Sequence, residues 1–249
     1  MPVPRRCLLL LLALLGARTE ALRGQSTDSL RRSRPPIIRG REALEIGGAV
    51  IVAGLLDPDV RNLFQTERTV TTNDAATVGN SFGHALTVGP ALAATWLLGT
   101  IAGKPKVANA ALWAAGAGAA AGVATAGLKF AFGRSRPPKN LTYDFHPFST
   151  KDHSFPSGHT SFAFAIASSL AHATPDHWSD VLFYAGATLT GLSRINDDKH
   201  WLSDVVAGAA LGVLVGRQLT SGRQGGRAAG VSGLRPMIGV GVVGFSGQF

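Results

Sequence analysis

Cysteine is nearly absent from this 249-residue chain, and the single one is Cys7. Residues 1–21 read as a secretory signal: Arg5 and Arg6, then nine apolar residues Cys7–Leu15, then Gly16, Ala17 and a polar shift. Nine apolar residues are too few to span a bilayer. With cleavage expected after Ala17 or Ala21, the mature chain would hold no thiol, which excludes disulfides and thiolate metal sites. Charge is also scarce, at 16% of residues against about 25% in an average soluble domain. Acidic groups are the scarcer sign, 15 Asp and Glu against 24 Lys and Arg, for a net charge of +9. The sequence has no Gly-X-Y period and no sustained heptad, which rules out collagen-like and coiled-coil rods. The 45% hydrophobic content rules out disorder over most of the chain.

The basic balance asks for an anionic partner: nucleic acid, a membrane surface or a phosphorylated substrate. The Lys and Arg residues are dispersed and carry no nucleic-acid signature, so no nucleic-acid partner is expected.

Residues 22–43 form a basic leader with Pro35-Pro36. Six apolar stretches follow: Leu44–Leu56, Ala85–Gly103, Val107–Phe132, Thr160–Ala173, Val181–Ser193 and Asp204–Leu219. Rich in Ala and Leu, they predict an all-α domain over residues 44–219, a single helical bundle. The tail, 220–249, is Gly/Arg-rich and ends in an alternating apolar segment, a short strand or a frayed end. Ala85–Gly103 and Val107–Leu128 are uncharged and long enough to cross a bilayer. Yet 15 of the 22 residues in Val107–Leu128 are Ala or Gly, which favour close helix packing over insertion. The fourth and fifth stretches have only 14 and 13 residues. The reading is an exported periplasmic or extracytoplasmic domain, soluble or membrane-associated, with an integral membrane protein as the rival.

Three clusters carry chemistry: Lys129-x6-Arg136-Pro137, Pro156-Ser157-Gly158-His159, and Ser193-Arg194-x5-His200-x3-Asp204. Each alone has a packing explanation: a lysine on a helix dipole, a turn opening a helix, a surface His–Asp pair. Together, each at a helix boundary and in this order, they point to an active site at one end of the bundle.

Over Lys129–Asp204 the sequence resembles the type 2 phosphatidic acid phosphatase superfamily, which includes bacterial acid phosphatases, lipid phosphate phosphatases and vanadium haloperoxidases. The resemblance implies an all-α bundle and metal-independent hydrolysis through a phosphohistidine, with no cofactor. One departure is Asp198, where members commonly carry Gly two residues before the catalytic histidine.

The residue types fit that chemistry. Lys129, Arg136 and Arg194 supply fixed cations, and Gly158 lets backbone N–H groups of Ser157–His159 approach an anion at a helix N-terminus. His200 would attack phosphorus, Asp204 would accept its Nδ1 proton, and His159 would serve as general acid and then base. His84, His172 and His177 are read as surface or core residues. His146 and His153 lie in the loop Gly133–Phe155 beside the site, and Trp201 is read as packing. Asp197 and Asp198 are read as loop residues, and no cluster has metal-ligand spacing. The leading function is an exported phosphatase acting on phosphate monoesters or lipid phosphates. The alternatives are a vanadate-dependent haloperoxidase and a non-catalytic phosphate- or lipid-binding protein. Its partners would be the phosphorylated substrate and a membrane surface.

Overall fold

The computed structural model describes residues 40–139, 142–151, 153–174, 176–221, 232–239 and 242–248. The expected signal peptide and most of the basic leader lie outside the described residues. Helices α1 (Gly40–Leu55), α2 (Asp57–Thr66), α3 (Val70–Gly83), α4 (Ala85–Ile101) and α5 (Pro105–Phe132) are followed by a short 3₁₀ turn at Pro137–Lys139. Then come α6 (Gly158–Ala173), α7 (His177–Asn196) and α8 (Leu202–Ser221). The tail pairs β1 (Ser232–Gly239) with β2 (Val242–Gln248) as an antiparallel hairpin. The helical part is all-α, as expected, and every predicted apolar stretch falls within a helix or ends one or two residues past it.

Two helices were not anticipated. Both α2 (DPDVRNLFQT) and α3 (VTTNDAATVGNSFG) are polar and lack a long apolar run. Their starts are nonetheless well specified. Asp57, Pro58 and Asp59 open α2, where acidic side chains meet the positive helix end. At α3 the Thr69 side chain accepts from Thr72 N at 3.2 Å while Thr69 N donates to Thr72 Oγ1 at 2.9 Å, a capping box built from two threonines. Boundaries also move outward. The first helix begins inside the expected leader, and α7 runs for 20 residues rather than the 13 of its apolar stretch.

The core is built on α6, which packs against α5, α7 and α8 and is buried on several faces from Thr160 to Ser169. Small residues permit this. On α5 a stripe of Ala108, Ala111, Ala114, Ala117, Gly118 and Ala121 is buried. On α8, Gly208, Gly212 and Gly216 recur every four residues against the α6 backbone. A Cβ at Gly212 would lie 2.4 Å from Ser161 O, and one at Gly216 2.6 Å from Ala165 O. The helices meet backbone to backbone there.

Helices α5 and α8 are long and apolar enough to cross a membrane, and α3 with α4, bent by 53°, would make a third span. Large apolar side chains such as Ile51, Leu86, Leu98, Val123 and Leu182 face outward.

Candidate active site

The three predicted clusters converge at one end of the helices. Lys129 sits in the last turn of α5, which stops at Gly133 in the left-handed region (φ 56°). Only glycine fits there, because an added Cβ would fall 1.7 Å from His146 O. Lys104 and Lys106 begin the same 28-residue helix, about 42 Å from its far end. Lys129 Nζ donates to the carbonyls of His153 and Ser154. A Cβ on Gly158 would lie 3.8 Å from Lys129 Cε, so the start of α6 borders this ammonium.

Arg194 ends α7. Its Nη1 donates to Asn80 Oδ1 on α3 and lies 3.7 Å from Asp197 Oδ2, while its buried Nε has no hydrogen-bond partner among the described residues. Arg136 is exposed just beyond α5.

His200 precedes α8 and is buried, with Nδ1 3.4 Å from Asp204 Oδ2. That oxygen also accepts from Ser154 Oγ (2.5 Å) and Trp201 N (3.0 Å). The opposite oxygen, Oδ1, accepts from Arg134 Nη1 at 2.7 Å. Burial pushes the His200 imidazole down to about 4, although Asp204 pulls the other way. His159, second residue of α6, is also held down to about 4, first by burial and then by Arg194, His200, His84 and Lys129. Both imidazoles are therefore neutral near pH 7.

The structure corrects two expectations. Ser157 does not offer its N–H to an anion: it donates to Asp204 O at 2.9 Å, and its buried hydroxyl accepts from Thr160 Oγ1. The free first-turn N–H groups that any helix carries begin at Gly158 and His159 instead. His84, read as a surface or core residue with no part in the site, is exposed but stands at the α3–α4 break with its ring 5.8 Å from that of His159. His172 and His177 are exposed, as expected. His146 is exposed and 3.4 Å from Asp144, and His153 turns its ring to Thr150 O while its own carbonyl holds Lys129. Trp201 is buried and donates Nε1 to Ser135 O at 3.0 Å, a packing residue.

Sequence reasoning missed Asp57, Asn80, Arg134 and Ser154. Arg134 stands two residues before Arg136, a visible signal. Asp57, 146 positions from Ser203, to which it bonds, gave none. Among the described residues no group of three His, Cys, Asp or Glu is placed to hold a metal ion.

The PAP2 superfamily model matches residues 110–225. A lipid A 1-phosphatase of Porphyromonas gingivalis is 43% identical over 97 residues, 38% of this chain and 19% of that protein. An acid phosphatase of Zymomonas mobilis is 43% identical over 58 residues, 23% of this chain and 21% of that protein. A lipid A 1-phosphatase of Rhizobium johnstonii is 39% identical over 90 residues, 34% of this chain and 36% of that protein. The matches thus span well under half of these relatives' lengths. Among solved structures, Aquifex aeolicus LpxE superposes with a TM-score of 0.53 at 27% identity, covering 67% of this chain and 95% of that one. The transmembrane PAP2 type phosphatidylglycerolphosphate phosphatase of Bacillus subtilis superposes at 0.58 and 20% identity, covering 74% and 97%, a likeness of fold.

Proposed function

We propose that this chain, whose residues 110–225 are a PAP2-superfamily domain, is a membrane-associated phosphatase that removes phosphate from a lipid phosphate of the lipid A type. The observation that carries the reading is the neutral, buried His200, its Nδ1 on Asp204, at a helix end where Lys129, Arg136 and Arg194 gather. Three cations with little acidic balance suit an ester that already bears negative charge.

In this reading Lys129, Arg136, the unpartnered Nε of Arg194 and the N–H groups of Gly158 and His159 hold the phosphoryl oxygens. His200 Nε2 forms the bond to phosphorus as the ester P–O bond breaks. Its Nδ1 proton stays shared with Asp204. The leaving oxygen takes a proton from His159, which bound phosphate charge makes easier to protonate. His159 then takes a proton from water as that water attacks the phosphohistidine, releasing phosphate and neutral His200. Hydrolysis is favoured over halide oxidation by the relatives, which are named phosphatases.

The lipid substrate is supported by the outward-facing apolar side chains and the membrane-length helices around the site. Lys104 and Lys106, at the opposite end of α5 from Lys129, support a site on the non-cytoplasmic side through the positive-inside rule. That orientation agrees with the signal sequence read at residues 1–21. The test is phosphate release by the detergent-purified chain from lipid A, phosphatidylglycerophosphate and p-nitrophenyl phosphate. Preference for lipid A is expected. Absence of turnover on all three sinks the phosphatase reading and leaves a binding protein.

A further inference from the structure

Arg134 is a buried cation whose five N–H groups are all used. Nε and Nη2 donate to Thr142 O (3.1 and 2.7 Å), Nη1 donates to Ser203 Oγ and Asp204 Oδ1 (both 2.7 Å), and Nη2 also donates to Asp57 Oδ2 (2.7 Å). The guanidinium lies 5.4 Å from the ring centroids of both Phe145 and Trp201. The side chains of Arg134, Asp57 and Asp204 are 2%, 0% and 0% exposed. Solvent screens none of them.

A neutral acceptor could have satisfied the last N–H of Arg134. Arg134 paired with Asp204 would be a neutral unit, and Asp204 would then have little charge left to face His200. Asp57 changes the count. It takes three hydrogen bonds, from Arg134 Nη2, Ser203 N (2.8 Å) and Ser203 Oγ (2.6 Å), and donates none. Burial raises its carboxyl overall, with the Arg134 and Ser203 hydrogen bonds opposing, and acceptance at both oxygens is the pattern of a carboxylate. Two carboxylates on one guanidinium leave a net charge of −1.

We infer that Asp57, acting through Arg134, is a positioning residue for the proposed nucleophile: by sharing the guanidinium it leaves Asp204 negative toward His200. The charged and titratable groups around His200 are otherwise Lys129 and Arg136 from α5 and its exit, and His159 from α6, none of which supplies negative charge. The cluster thus supports the positive character that the His200 ring gains when Nε2 bonds to phosphorus. Helix α2, outside the 110–225 family match, becomes part of the catalytic apparatus.

The inference rests on the phosphatase reading and is tested by charge count in the full chain. Asp57→Asn takes the cluster to zero, Arg134→Gln takes it to −2, and the double variant restores −1. The acid limb of kcat/KM, which reports His200 protonation, should fall by about half a pH unit or more in Asp57→Asn and rise in Arg134→Gln. In the double variant it should return toward wild type. For Asp57→Asn, kcat should drop about tenfold with KM little changed, since phosphate contacts are untouched. If one single variant does not fold, the other single variant and the double still carry the comparison. Shifts of the two singles in the same direction, or an unmoved limb in both, overturn the inference. A ¹⁵N-histidine titration of His200 gives the same readout without substrate. A chain that turns nothing over but shows opposite shifts therefore refutes the phosphatase reading alone.

Discussion

Arg61 and Asp198 form a two-point ion pair, with Nε 2.7 Å from Oδ1 and Nη2 2.8 Å from Oδ2. Asp198 has φ 54°, the left-handed region that favours glycine. The ion pair compensates the strain and anchors the turn before His200, with Arg61 also 5.7 Å from the Trp201 ring centroid.

Asp198→Gly should therefore be better tolerated than Asp198→Ala. Glycine loses the ion pair but relieves the backbone, whereas alanine loses the pair and keeps the strain. A gap of about 1 kcal/mol between the two variants is expected in thermal or denaturant unfolding. Equal stabilities would refute this account of the turn.

The contact between α6 and α8 depends on missing side chains. Gly212→Ala would press a methyl to 2.4 Å from Ser161 O and 2.8 Å from Ala165 N, both backbone atoms. It should cost about 1–3 kcal/mol or more and disturb His159, two residues before Ser161 on α6. Gly116→Ala meets nothing within 4 Å and should be neutral or stabilising by up to about 1 kcal/mol. Melting temperatures of the two variants decide it.

Acid should weaken the fold through His200. Its folded pKa of about 4 is below its unfolded value of about 6.5, so the unfolded chain takes up the proton first. Stability is lost as pH falls from about 6.5 to about 4, on the order of 3 kcal/mol from this group, and levels off below. Unfolding midpoints at pH 7 and pH 4.5 should differ less in His200→Ala than in wild type. An equal drop in both would show that other groups carry the acid sensitivity.

Turnover should persist in EDTA, because Lys129, Arg136 and Arg194 already neutralise the phosphate. Orthovanadate should inhibit by taking the place of the phosphoryl group. Activity lost on chelation and restored by a divalent cation would rule out the proposed mechanism.

The two histidines should separate by leaving group. His200→Ala should abolish turnover and the acid-labile phosphoenzyme on every substrate. His159→Ala should slow phosphoenzyme formation far more on an alkyl phosphate than on p-nitrophenyl phosphate, with general-acid assistance of ~10²–10⁴-fold at stake. A phosphoenzyme that survives in His200→Ala and vanishes in His159→Ala would reverse the roles.

Apolar composition located the helices around the core because helices packed this closely need long runs of small and apolar residues. It missed α2 and α3 for the same reason, since these contribute polar groups to the site. Asn80 serves Arg194 and Ser193, and Asp57 serves Arg134 and Ser203. The polar end of the bundle has no hydrophobic signature to read.

The sequence by itself determined the apolar helices around the core, the four-residue spacing of His200 and Asp204, and the glycine that follows α5 after Lys129. Each depends on local spacing, which the chain carries wherever it folds. Tertiary structure alone decided what lies behind that pair. Arg134 reaches Asp204 across 70 positions and Asp57 across 77, and His84 comes to stand beside His159. Spacing tells which residues share a face. Only the packing of one helix end against another, with every N–H of a buried guanidinium requiring an acceptor, decides which distant carboxylates meet it.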